Sequence, residues 1–178
     1  MAKVYFFGYG ANRSGDRLRE IFGHEVTKVS GAILDNNVLS YQVLDQVPEK
    51  PREILQRVWG NEFRCYTART GEGQIVGVVW ELEESDLEIL KEWEFIGEWR
   101  DLVPVKVKTT DGKEIQALTD KVSDTAPIKE VVDGLFYEDN LNKEGRNLDA
   151  IEKEYKIAEM KKIREELTEL SRAQGSKI

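Results

Sequence analysis

Two groups of residues in this chain have types and spacing suited to chemistry. Tyr9-Gly10-Ala11-Asn12-Arg13 follows an apolar run, Tyr5-Phe6-Phe7, and forms a polar loop flanked by Gly8 and Gly10. Glycine lets another molecule approach the backbone closely, and a loop leaving a strand toward a helix presents its N–H groups to a ligand. The second group centres on Glu94. With Leu87 at zero and about 100° per residue, Leu90 falls near 300°, Trp93 near 240° and Glu94 near 340°. Glu94 therefore shares the apolar face of its helix, where lost hydration and the negative end of the helix dipole both raise a carboxylate's pKa. Those conditions suit a general acid/base.

Other chemistries are poorly supplied. The chain has one cysteine, Cys65, and one histidine, His24, so no disulfide framework or zinc cluster is expected, and no cofactor or metal site. Cys65 lies in a strand-like run and is expected to be a core thiol, and His24 follows Gly23 at a helix end, a surface or capping position. Gly8-Tyr9-Gly10 begins like a dinucleotide fingerprint, but Arg13 stands where the third glycine belongs. Asp16-Arg17 likewise occupies the Lys-Ser/Thr position of a P-loop, so both nucleotide motifs fail.

A length of 178 residues with 40% apolar and 34% charged residues describes a globular protein of one domain with an appendage. The net charge of -8 argues against a nucleic-acid partner, since the lysines and arginines form no basic stripe. No leader or membrane-spanning segment is recognisable, so the expected location is the cytoplasm and the expected partner a small-molecule substrate or ligand.

The positioning elements follow from pattern. A strand over 3–9 and a helix from Gly15 closed at Gly23 bracket the loop. Strands are expected over 31–39 and 40–45, with Asp35-Asn36-Asn37 as a bulge or turn, and residues 48–60 are expected to be a loop with at most one helical turn. Residues 61–68 and 74–82 are expected as two strands joined by Arg69-Thr70-Gly71-Glu72-Gly73, the second of them central to the sheet. Ser85-Asp86-Leu87-Glu88 has the form of a capping box, starting a helix that ends near Trp93 or Glu94. A second hairpin, 103–108 with 113–119, turns at Asp111-Gly112 as a type I′ turn, with Pro104 at an edge or strand end. The class is α+β, with a small mixed, mostly antiparallel sheet curling toward a barrel. Residues 147–178 form a helical extension to the 1–146 domain, with apolar sets at Leu148, Ile151, Tyr155 and Ala158 and then at Met160, Ile163, Leu167 and Leu170. It either packs on its own domain or pairs two copies in a homodimer.

Phe7-Gly8-Tyr9-Gly10-Ala11-Asn12 resembles the Phe-Ala-Tyr-Gly-Ser-Asn opening of the γ-glutamylcyclotransferase-like family. Gly77-Val78-Val79-Trp80-Glu81-Leu82, Leu90 to Glu94, and Trp99-Arg100 before the alternating 103–107 strand are similar to its later motifs, in the same order. The resemblance spans about residues 4–121. It implies a small mixed β-barrel with flanking helices, Tyr9, Gly10, Ala11 and Asn12 as the substrate-holding loop with Arg13 bordering the pocket, and Glu94 as catalytic acid/base. The implied reaction turns a γ-glutamyl-amine or γ-glutamyl amino acid into 5-oxoproline and a free amine, without cofactor. The chain departs from the pattern at Ala11, where serine is usual, at Arg13, where the family is apolar, and at Phe95, where glycine is preferred; Tyr137 is an unaligned substitute for the family's pocket tyrosine. The competing expectation is a binding protein that holds a small molecule in the same pocket without converting it.

Overall fold

The computed structural model describes residues 2–131, 158–163 and 165–166. Strand β1 (Lys3–Gly8) leads through a 3₁₀ turn at Ala11–Arg13 into helix α1 (Gly15–Phe22). Ser14 caps α1 by accepting from the Arg17 N–H, and Gly23, at φ 81°, ends it in the left-handed conformation. Strand β2 (Thr27–Val43), helix α2 (Glu49–Trp59) and strand β3 (Arg64–Glu83) come next, followed by helix α3 (Glu84–Trp93) and strands β4 (Asp101–Thr109), β5 (Glu114–Lys121) and β6 (Glu130–Val131).

The sheet order is β3-β1-β5-β4-β2-β6, and β2 also pairs with β3, so β1, β5, β4, β2 and β3 close into a five-stranded barrel. Among the described strands only β1 and β5 pair in parallel. Closure leaves β3 bonded on both sides, to β1 and to β2, which is the central position expected for residues 74–82. Pro104 lies where β4 is bonded to β5 alone, since β4 meets β2 only at residues 108 and 109, so its missing N–H breaks no second ladder. Gly77 and Gly8 are required by proximity: a Cβ on Gly77 would collide with the Gly8 carbonyl and the Phe7 ring, and one on Gly8 would collide with the Asn12 carbonyl.

Four local expectations are corrected. Residues 48–60 are not a loop with at most one helical turn: Glu49–Trp59 form the 11-residue helix α2, because Pro51 sits in the first helical turn, where a missing N–H breaks no bond. Residues 61–68 and 74–82 are one strand rather than a hairpin. The glycines at 71 and 73 serve a bulge opposite Asn36, itself at φ 59°, where the β2–β3 register jumps from Asp35↔Gln74 to Asn37↔Thr70. The start of α3 is closed by Asp86, whose Oδ2 accepts from the Glu83 N–H at 3.1 Å, rather than by Glu88. At Asp111-Gly112 only Gly112 takes a positive φ, 86°, so the turn is not type I′, which needs two such residues.

The core has two parts. One fills the barrel with Phe7, Tyr9, Leu34, Leu39, Ile75, Val79 and Val107. The other lies outside it, where Phe6, Trp80 and Leu82 meet the apolar faces of α1, α2 and α3. Met160, from the C-terminal helical residues, is buried in that second part, Ile163 packs against it, and Lys161 Nζ donates to the Glu20 carbonyl at 2.9 Å. Of the two apolar sets expected on the C-terminal helix, Leu148, Ile151 and Tyr155 lie outside the described residues, as do Leu167, Leu170 and Tyr137.

Candidate functional site

The polar loop owes its shape to what surrounds it. The Trp80 indole N–H donates to the Asn12 carbonyl at 2.9 Å and the Arg13 N–H closes a turn on the Gly10 carbonyl at 3.1 Å, so the chain is fastened from both sides. The Asn12 side chain, buried, is thereby directed toward the end of α3.

That end is a Schellman motif in which Ile96 N–H bonds the Lys91 carbonyl at 2.9 Å and Phe95 N–H bonds the Glu92 carbonyl at 3.3 Å. The residue in the left-handed position is Phe95, at φ 56°, where glycine is usual. Glu94 is the last residue before it, and its carboxylate turns inward with its side chain only 14% exposed. Asn12 Nδ2 donates to Glu94 Oε1 at 3.1 Å, and Arg17 Nη2 stands 3.8 Å from the same oxygen. The Arg17 guanidinium also donates through Nη1 to Asn12 Oδ1 and lies over the Trp93 ring, 5.8 Å from its centroid. Burial pushes the Glu94 carboxyl above its usual range, with Asp120 adding to the rise, while Arg17, Arg100 and the Asn12 amide pull in the other direction.

A second polar network also borders this region. Arg100 Nε donates to Asp120 Oδ2 at 2.6 Å, Nη2 to the Tyr9 hydroxyl at 3.0 Å, and Nη1 to Cys65 Sγ at 2.9 Å. The Tyr9 hydroxyl donates to the Asp120 carbonyl at 2.6 Å and accepts from the Ala68 N–H at 3.0 Å. Tyr9 is thus held as a neutral, fully engaged phenol, and burial raises its pKa further. Burial also pushes the Cys65 thiol up to about 12, so this sulfur offers no thiolate nucleophile at neutral pH. Cys65 is only partly buried and borders the cavity, in contrast to the core thiol expected of it.

Residues of both networks line a cavity of about 480 Å³, a size suited to a small-molecule ligand. Tyr9, Gly10, Ala11, Asn12 and Glu94 all line it. Arg13 does not: its Nε folds back on the Gly10 carbonyl at 3.3 Å, and the arginine that reaches the cavity is Arg17, four residues on. Sequence inspection passed over Arg17, although it shares a helical face with Ile21 at i+4 spacing and both are buried. Arg100, Asp120, Trp59, Phe63 and Met160 complete much of the lining. Among the described residues no group of three His, Cys, Asp or Glu could hold a metal ion, and no helix is long and apolar enough to cross a membrane.

Comparison with known proteins places the fold. No family model matches the chain, and no curated protein does. Among solved structures, a γ-glutamyl cyclotransferase superposes with a TM-score of 0.59 at 21% identity, over 71% of this chain and 70% of that one. An uncharacterized protein from Homo sapiens gives 0.59 at 22% identity, over 72% and 70%. An AIG2-like protein from Mus musculus gives 0.50 at 14% identity, over 82% of this chain and all 100% of the other.

Proposed function

On the premise of a γ-glutamyl cyclotransferase-like fold, we propose that this protein cyclises a γ-glutamyl-amine or γ-glutamyl amino acid to 5-oxoproline, with Glu94 as acid/base. One observation carries the reading: the Glu94 carboxylate and the 9–12 loop line the same cavity.

The reaction needs little from the protein. The substrate's own α-amine attacks its γ-carbonyl carbon, forming the ring C–N bond, and the bond from that carbon to the leaving amine breaks. Holding the chain curled removes much of the entropic barrier. The attacking amine must lose a proton and the leaving amine must gain one, and a single carboxylate positioned between them moves it, worth about 10²- to 10⁴-fold. Its raised pKa brings Glu94 nearer the range where it both accepts and returns a proton at neutral pH. Backbone N–H groups of Gly10 and Ala11 are the donors for the substrate carboxylate or the developing oxyanion, which a loss of the usual serine hydroxyl at Ala11 leaves intact. The proposal includes no cofactor, a cytoplasmic location and no nucleic-acid or membrane partner.

The test is incubation with a panel of γ-glutamyl-amines and γ-glutamyl amino acids, with 5-oxoproline as readout. Product formed by the wild type and lost in Glu94→Gln supports the assignment; equal turnover in both removes Glu94 from the chemistry. The second reading, a holder of small molecules, is favoured by Arg17, which gives Glu94 a cationic neighbour that partly offsets the effect of burial and can serve with it as a polar contact for a ligand. Stoichiometric ligand retention without product would decide for it.

A further inference from the structure

The cavity is asymmetric. Its buried polar groups are Asn12, Arg17 and Glu94 together with Arg100 and Asp120, the exposed Glu62 and Arg64 also contribute to the lining, and Leu55 and Trp59 of α2, Phe63, Trp93 and Met160 supply an apolar part of the wall that is continuous with the outer core. The two buried arginines are already committed, Arg17 to Asn12 and Glu94, Arg100 to Asp120 and Tyr9. A γ-glutamyl head fills only part of about 480 Å³, so most of the space is left for the leaving group. Trp59 and Phe63 stand with ring centroids 5.6 Å apart on this wall. Met160 arrives from the C-terminal helical residues, 2% exposed, and provides a polarisable surface that favours aromatic contact.

From this arrangement we propose that the apolar wall, closed by Met160, is a leaving-group subsite that selects γ-glutamyl compounds whose amine carries an aromatic or aliphatic group over those whose amine is a small zwitterionic amino acid. The choice of a γ-glutamyl head rests on the cyclisation reading above; the apolar selection does not. It also gives the C-terminal segment a role within the site, since a residue far along the chain completes the pocket wall.

The experiment measures binding and turnover separately. Full-length Glu94→Gln protein is titrated with L-γ-glutamylanilide and with L-γ-glutamylglycine, following tryptophan fluorescence, because Trp59, Trp93 and Trp99 all border the cavity. The anilide is expected to bind at least about tenfold tighter. Met160→Gln and, independently, Trp59→Ser in the same background are expected to reduce that ratio severalfold while affinity for the glycine compound stays level. Circular dichroism confirms folding, and either variant alone suffices. Equal affinities, no detectable binding of the anilide, or a ratio unmoved in whichever variants fold would overturn the subsite. Wild-type turnover then separates the two readings. Preferential anilide binding with neither compound cyclised leaves the subsite standing and removes the cyclisation, whereas cyclisation of both compounds at equal kcat/KM removes the subsite alone.

Discussion

Asn12 Nδ2 donates to Glu94 Oε1 at 3.1 Å across 82 residues of sequence, tying the N-terminal loop to the end of α3. The same side chain accepts from Arg17 through its carbonyl oxygen, so one amide orients both the carboxylate and the cation beside it. A hydrogen bond to a charged group contributes about 1.5–3 kcal/mol. If the proposed γ-glutamyl cyclisation is the activity, Asn12→Ala is therefore expected to lower its kcat/KM about 10- to 100-fold. It also removes a donor that favours the carboxylate, so the acidic limb of the pH profile moves to higher pH. A pH profile with the wild-type limb would show that Asn12 does not act on Glu94.

Burial, with Asp120 adding to it, raises Glu94 above the ordinary glutamate value of 4.5. The folded protein then holds this proton more tightly than the unfolded chain does, so the associated stability is full below the ordinary value and is lost as pH rises through the raised one. Glu94→Gln keeps the shape without the charge. Its Tm is expected to exceed that of the wild type at neutral pH, with the difference closing as pH falls below the ordinary carboxylate range. Thermal melts at a series of pH values check this, and a difference that does not vary with pH would contradict it.

The two ends of this relationship were legible in sequence for local reasons. A strand followed by a glycine-flanked polar loop, and a glutamate on an apolar helical face, are short-range patterns. Arg17 was missed because an arginine on a helix is ordinarily exposed; what buries it is Trp93 and Glu94 on another helix. The apolar wall was hidden for a related reason. Pro48 and Pro51 look like breakers unless the helix is known to begin at Glu49, and without α2 neither Leu55 nor Trp59 has a place. Barrel closure was suggested by the series of strands and by the family resemblance, not by any local pairing signal. The β2–β3 pairing that completes it brings together Thr27 and Glu81, which no local rule connects.

Phe95 holds a left-handed φ of 56° while its ring is buried, 6.0 Å from that of Trp99. Replacing it with glycine or alanine removes the same ring contacts and costs about 3–5 kcal/mol in either case. The two variants differ in backbone alone. Alanine keeps the left-handed penalty of about 1–2 kcal/mol, which outweighs the extra chain entropy, about 0.4–1 kcal/mol, that glycine gains on unfolding. Phe95→Gly is accordingly expected to be more stable than Phe95→Ala by about 0.5–1 kcal/mol in urea denaturation, the reverse of the order in a helix interior. An alanine variant as stable as the glycine one would mean that the segment relaxes out of this conformation.

Arg100 and Asp120 are 3% and 5% exposed and meet at 2.6 Å. Arg100→Met leaves the Asp120 charge buried and removes a donor to Tyr9, so a loss of about 3–5 kcal/mol is expected, a large share of a typical domain's stability. Adding Asp120→Leu removes the stranded charge. The double variant should recover part of the loss despite carrying one more substitution, as read from equilibrium denaturation midpoints. If the double variant is the less stable of the two, Asp120 is not stranded by the loss of Arg100.

His24 Nε2 lies 2.6 Å from Asp86 Oδ1, joining the end of α1 to the start of α3. The bond to Asp86 raises the His24 pKa above its ordinary 6.5, with a bond to the Glu25 carbonyl adding to it. A raised histidine contributes stability that is complete below its unfolded value and disappears as pH climbs through the folded one. Wild-type Tm should therefore carry a downward step above about pH 6.5, in the opposite place from any carboxylate effect at low pH. His24→Gln should remove that step and leave the rest of the curve unchanged. The step is expected to be small because the imidazole is 47% exposed and solvent screens the pair. Persistence of the step in His24→Gln would assign it to another group.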